Sequence, residues 1–263
     1  MKRNARSLEG FMPFLRKELR EAWRTGRLPV VALVFFAFGL ISPLTAKYLP
    51  DILQGAAGSV KIIIPTPQAS DAVDQFLKNV AGNGIFVAIL LAMGMVAREK
   101  ERGTAAFVLA KPITRQAFLA AKLVALLVTL GAGVAVAATA DYAYTALLFK
   151  PLPLAGFIGC AALTLLLLLV YGAVTFLASA ALPSALGAAG AGVAFFVVFA
   201  ALSAQPDIAH YMPGGLTAPA RALALGLAPQ HLVAALAGSG VIVAAALVLA
   251  WAAFRRQEFT SAV

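Results

Sequence analysis

The sequence predicts an all-α, polytopic membrane protein with six transmembrane helices, an N-terminal amphipathic elbow helix and a short cytoplasmic helix between spans two and three. Three observations carry this expectation. The 263 residues are 62% hydrophobic and only 12% charged, with a mean hydropathy of +0.90, whereas soluble domains carry charge on roughly a quarter of their residues. Charge-free apolar runs recur at a length of 19 residues or more, enough at about 1.5 Å per residue to cross a hydrocarbon layer of about 30 Å. Basic residues gather beside alternate ends of these runs, as the positive-inside rule requires.

Residues 1–28 form a basic cytoplasmic segment. They carry charge throughout and lack a short apolar stretch with a small-residue cleavage site, so the first span is expected to serve as the targeting signal. Phe11, Phe14, Leu15, Leu19, Ala22 and Trp23 recur at three- and four-residue steps, while Arg16, Lys17, Arg20, Arg24 and Arg27 fill much of the remaining circumference. Such a helix is expected to lie along anionic headgroups with its apolar face down. Phe14, Arg16, Lys17, Arg20, Trp23 and Arg24 are its surface-binding residues.

The transmembrane domain is read over residues 29–254. Span one, about 29–48, starts beside Pro29 and holds Pro43 near its end. A polar, proline-broken loop follows to Lys78, within which Ser70 is placed to cap a short surface helix. Span two covers 79–97 and stops at Arg98, and span three covers 117–142. Pro151 to Pro206 holds no formally charged residue over 56 positions, so two spans share it, 154–181 and 184–204. They are parted at Leu182-Pro183-Ser184 because proline disfavours helical geometry in the residue before it. A connection with Asp207, His210, Arg221 and Gly214-Gly215 follows, in which Pro219 to Leu227 could form a short half-inserted helix. Span six covers 232–254, and residues 255–263 form a cytoplasmic tail after Arg255-Arg256.

Orientation follows from the basic residues. Of 21 Lys and Arg, 16 fall on the face holding both termini and the segment Arg98 to Arg115, and 5 on the other. Both termini are therefore expected in the cytoplasm of a multi-pass protein of the inner or plasma membrane. The formal net charge of +10 is matched to anionic lipid headgroups and not to nucleic acid, because the cations flank apolar spans.

The segment 98–122 reads REKERGTAAFVLAKPITRQAFLAAK. Gly103 permits a turn, Thr104 can cap a short helix over Ala105 to Ala110, Pro112 ends it and Thr114 caps span three. Exposed charges around a short surface helix suit a soluble partner that grips it. The run Glu99-Lys100-Glu101-Arg102-Gly103-Thr104, followed by Lys111-Pro112-Ile113-Thr114-Arg115, resembles the signature of ABC-2 type transporter permeases. The basic elbow, the six spans and Phe254-Arg255-Arg256-Gln257-Glu258-Phe259 are similar to that family as well. The resemblance implies the permease subunit of an ATP-binding-cassette exporter, with a coupling helix here that docks on an ATPase. By the same resemblance Glu99, Lys100, Glu101, Gly103, Thr104, Pro112 and Arg115 would lie at or beside that contact. Two ATPase chains and a second permease, identical or similar, would complete the assembly.

Other chemistry is not written in the chain. It lacks the phosphate-cradling pattern G-x-x-x-x-G-K-S/T, so ATP and Mg are expected in the partner, with no cofactor, metal or catalytic residue here. A hydrolase would need H-E-x-x-H or a base for Ser239, and neither is found. Cys160 is the single cysteine, which excludes an internal disulfide. An ion- or proton-coupled secondary transporter is the alternative, but it would need ionisable residues within the bundle. The candidate is Asp141, which counting from Lys122 places at the outer interface beside Tyr142 and Tyr144, where water would reach it. Gly187, Gly190 and Gly192 make span five narrow, for a dimer seam or for packing within one bundle. His210 and His231 lack neighbouring ligands and are assigned no role, and nothing names the cargo or its path.

Overall fold

The computed structural model describes residues 10–56, 66–103 and 113–256. Among them the structure is helical, with no strand, and six helical segments are long and apolar enough to cross a membrane. The elbow is α1 (Phe11–Arg24), and α2 (Arg27–Ala56) is the first span. The second span is composite: α3 (Ala69–Phe76), a π-helical stretch Leu77–Asn83, then α4 (Gly84–Met93) and, after one turn, α5 (Ala97–Glu101). Then come α6 (Arg115–Leu148), α7 (Leu154–Ala181) and α8 (Ala185–Ser203). The turn α9 (Pro206–Ala209), a 3-10 turn Pro213–Leu216 and α10 (Thr217–Ala224) lead to α11 (Leu232–Arg255).

Local chemistry explains most of these boundaries. The Thr114 side chain accepts from the Ala117 N–H at the start of α6, and Ser184 accepts from Gly187 at the start of α8. The helix before α8 ends at Ala181, ahead of Pro183. Several helices run past the expected span bounds, α6 to Leu148 among them, and two differences have a local cause. Helix α2 continues through Pro43 and Pro50 to Ala56, because a membrane helix tolerates proline where neighbouring groups satisfy the freed carbonyls. The helix at 69 starts one residue before Ser70: Asp71 Oδ2 accepts from the Gln68 N–H at 2.8 Å, so the acidic side chain closes the first turn.

The π stretch turns a polar group inward. Asn79 Nδ2 donates to Ser42 Oγ at 3.0 Å, and Ser42 in turn donates to the Phe38 carbonyl. That chain of bonds fixes span two against span one inside the bundle, where no water competes.

Helix α7 is the centre of the domain, with 61% of its apolar window buried, against 17% for α8 and for α11. Those two outer helices leave Leu186 and Val233 about four-fifths exposed, as lipid-facing surfaces should be. The glycines of span five differ in their surroundings. Gly192 meets Thr175 and Ile89 inside the bundle, whereas a Cβ on Gly190 would meet nothing within 4 Å.

Backbones approach closely where α2 crosses α6. A Cβ on Gly39 would collide with the Ala137 carbonyl oxygen and come within 2.9 Å of the Ala137 Cα, so the two helices touch through a glycine. Gly39→Val should therefore force spans one and three apart and destabilise the purified chain by about 1–3 kcal/mol, read as a lowered unfolding midpoint in detergent. Gly190→Val, in open space, should leave the midpoint unchanged.

Candidate functional site

The site lies at the end of the bundle where the elbow, the segment before residue 104 and the end of span six converge. Lys122, about two turns into α6 and buried, places its ammonium 2.7 Å from Glu99 Oε1 and 3.2 Å from Glu18 Oε1. The ammonium also lies 5.0 Å from the Phe118 ring centre and 5.7 Å from that of Phe14. Lys17 supplies a second cation, 3.1 Å from Glu18 and 2.9 Å from Glu21. Burial works against the charge on Lys17, but the hydrogen bonds and charges of Glu21 and Glu18 outweigh it and hold its pKa above the ordinary value. For Glu21 burial likewise opposes ionisation, and Lys17 prevails and holds the carboxyl below its usual range.

Three rings tie the same place together. Phe14 stacks on Phe118 at 5.3 Å and Phe118 on Phe254 at 5.4 Å, joining the elbow, span three and span six.

The charged residues around this core sit on helix ends, each with the sign that the end favours. Lys100 Nζ donates to the Ala180 and Leu182 carbonyls at the carboxyl end of α7. Glu101 Oε1 accepts from the Ala185 N–H at the amino end of α8, at 2.8 Å. Arg115 Nη1 donates to the Phe254 and Arg255 carbonyls at the carboxyl end of α11, at 3.1 and 2.8 Å. Cations at carboxyl ends and a carboxylate at an amino end satisfy orphan backbone groups and oppose the helix dipole. Ser179 completes the ring by accepting from the Val96 and Ala97 N–H groups, at 3.1 and 3.0 Å, which anchors α5 to α7.

Among the residues singled out in the sequence, Glu99, Lys100, Glu101 and Arg115 are thus brought into one collar. Gly103 follows it in a turn at φ +66°, and Arg102 and Gly103 are exposed. Thr104, Pro112 and the short helix expected over Ala105 to Ala110 lie outside the described residues.

Two placements depart from the sequence reading. Phe14, assigned to a headgroup-facing surface, is buried, and the apolar side of the elbow packs on span three through it. Arg16, Lys17, Arg20, Trp23 and Arg24 form the exposed side, with Trp23 65% exposed. The protein core outcompetes the lipid surface for Phe14 because the Phe118 ring lies directly beneath it. Asp141, expected in water at an interface, is fully buried, and neither carboxylate oxygen has a hydrogen-bond partner among the described residues. Helix α6 runs seven residues past it to Leu148, roughly another 10 Å, which carries Asp141 below the helix end.

The reading from sequence missed Glu18, and it used Lys122 only to judge orientation and the depth of Asp141. The signal was present in outline, since an acid on the apolar stripe of the elbow and a base inside a span are each costly alone and must be matched.

Against this geometry stand the similarities to known proteins. The family described as "ABC-2 family transporter protein" matches residues 12–213. The chain belongs to the ABC-2 transporter family. An ABC-2 transporter protein with six apolar helices is a multi-pass membrane component of a transport system, which accords with the architecture above. The chain is also similar to the "Uncharacterized transmembrane protein YxlG" of Bacillus subtilis, 29% identical over 215 residues, covering 77% of this chain and 80% of that protein. The matched region includes the elbow, Lys122 and the whole of the collar except its α11 end.

Replacing Lys122 by Met should strand Glu18 and Glu99 without their shared cation. We expect a loss of about 3–5 kcal/mol, measured by denaturant titration of the reconstituted chain. The triple change Glu18→Gln, Glu99→Gln, Lys122→Met should recover most of it.

Proposed function

We propose that this chain is the permease subunit of an exporter driven by a separate ATP-binding-cassette ATPase, which docks on the segment from Arg98 to Arg115. One observation carries the proposal. Both stems of that segment are bolted to helix ends: Glu99 to Lys122 and the elbow, Lys100 to α7, Glu101 to α8, and Arg115 to α11. A push or pull on either stem is therefore passed by direct side-chain contacts to the elbow and four spans. The family supplies the transport role, and this connectivity supplies a route for work done outside the membrane.

In this reading ATP and Mg are held by the partner, and two ATPase chains act on a pair of permeases. Both termini and the docking segment face the cytoplasm, as the distribution of basic residues favours. Glu99, Lys100, Glu101 and Arg115 act by holding the stems in register, and Arg102, exposed at the tip of the described stem, is placed to meet the partner. The exposed arginines and Trp23 of the elbow face anionic headgroups.

The alternative, a transporter driven by an ion gradient, has one observation on its side. Asp141 is buried without a hydrogen-bond partner among the described residues, as an ion- or proton-carrying carboxyl would be. No basic residue or second acid is shown bound to it, and the collar would then have no purpose beyond stability. The ATP-driven reading is the one adopted.

The purified chain should hydrolyse no ATP alone. Mixed in nanodiscs with its cognate ATPase, Arg102→Glu should weaken assembly about tenfold, the cost of one lost charged contact, with the thermal midpoint of the isolated chain unaltered. Equal binding by the variant would end the docking assignment. Asp141→Asn should leave nucleotide-dependent transport intact, whereas an ion-driven carrier would lose its activity with that change.

A further inference from the structure

At the end of the bundle opposite the collar, the connection between spans five and six folds back on itself and brings His210 and His231 together. They are 21 positions apart in the chain, yet their ring centres are 4.7 Å apart and their planes 24° from parallel. His210 follows the short turn α9, and His231 is the residue before α11, held in the left-handed backbone region at φ 54°. The stack therefore pins the folded connection to the first turn of span six. A second contact lies beside it, where the Tyr211 carbonyl rests on Gly238 so closely that a Cβ would collide with it. Both histidines line a cavity of about 540 Å³, together with Ser203, Gly214, Ala222 and Gln230.

Stacked imidazoles attract while at least one is neutral, because the rings share apolar contact and polarisable faces. Two imidazolium ions at this separation repel. The two histidines are the titrating side chains among the residues lining the cavity. Asp207 is exposed on the turn that precedes His210. Tyr211 lies with its ring 4.5 Å from that of His210. Arg221, on the neighbouring α10, is bound by Asp74 on α3 through two hydrogen bonds. No hydrogen bond or ion pair joins either imidazole to a carboxylate among the described residues. No third His, Cys, Asp or Glu among the described residues joins the pair to make a metal centre there.

We propose that the His210–His231 stack is an acid-sensitive latch that keeps the connection between spans five and six folded onto span six at neutral pH and releases it when both rings are protonated. Imidazole is the side chain whose charge ordinarily changes between about pH 5 and pH 8, so an acidified compartment on this side would open the cavity. The latch stands roughly 36 Å along α11 from Phe254 and the collar. It would thus act on the opposite mouth of the bundle from the proposed ATPase contact and rests on no part of that assignment.

Hydrogen exchange on the full chain in nanodiscs tests it. Between pH 8 and about pH 5, exchange over residues 204–231, corrected for the intrinsic pH dependence, should quicken about tenfold as the local opening free energy falls. His210→Phe keeps a ring against His231 and removes one titrating group, and His231→Asn suits the left-handed backbone and removes the other. Both variants should lose the acid response while peptides from α7 exchange as before. An unchanged rate in the natural chain on acidification, or an acid response that survives in His210→Phe, overturns the latch.

Discussion

A charge kept out of water must be answered by an opposite charge nearby, and the end of the bundle that carries the family's motif is arranged around one such demand. Lys122 stands inside span three, where its ammonium is removed from solvent, and two carboxylates from separate parts of the chain reach it. Replacing an entire buried pair with apolar side chains often costs nothing, but separating its members is severely unfavourable. The value of the Lys122 cluster is consequently one of register. It allows one position for the elbow and one for the stem at Glu99 relative to span three, and the aromatic stack Phe14, Phe118 and Phe254 fills the space that those positions leave.

The collar extends the same constraint to neighbours that the cluster does not touch. Membrane helices gain little from apolar attraction to one another, since lipid tails are as apolar as leucine, so polar contacts and close packing decide their arrangement. Here the polar contacts are concentrated at helix ends, where unsatisfied backbone groups are available in any sequence. Lys100, Glu101 and Arg115 each use such an end. The apolar middle of the bundle is left to glycine crossings such as Gly39 on Ala137 and to isolated bonds such as Asn79 to Ser42. A domain built this way gathers its charged contacts at one end and holds its apolar body together by close packing.

Much of this was legible in advance because the bilayer imposes long-range order that one chain position reveals by itself. A run of apolar residues must cross, a proline in a long charge-free run, such as Pro183, can mark a turn between two crossings, and a Thr or Ser such as Thr114 or Ser184 before a run can cap it. The family signature from Glu99 to Arg115 was likewise readable, since it is local. The burial of Phe14 and Asp141 was not. Periodicity shows that a helix has an apolar face but not which apolar surface will cover it, and counting residues along a span does not reveal how far the helix runs beyond the membrane.

The sequence alone therefore determined the number of crossings, the class of fold and the family, because each depends on local composition tested against one uniform solvent. Only the tertiary structure decided that Glu18 and Glu99 share Lys122, that Lys100, Glu101 and Arg115 each close the end of a different helix, and that His210 meets His231. Those pairings join residues between 21 and 140 positions apart. They exist because helix packing brings the partners together, and no property of either partner in isolation names the other.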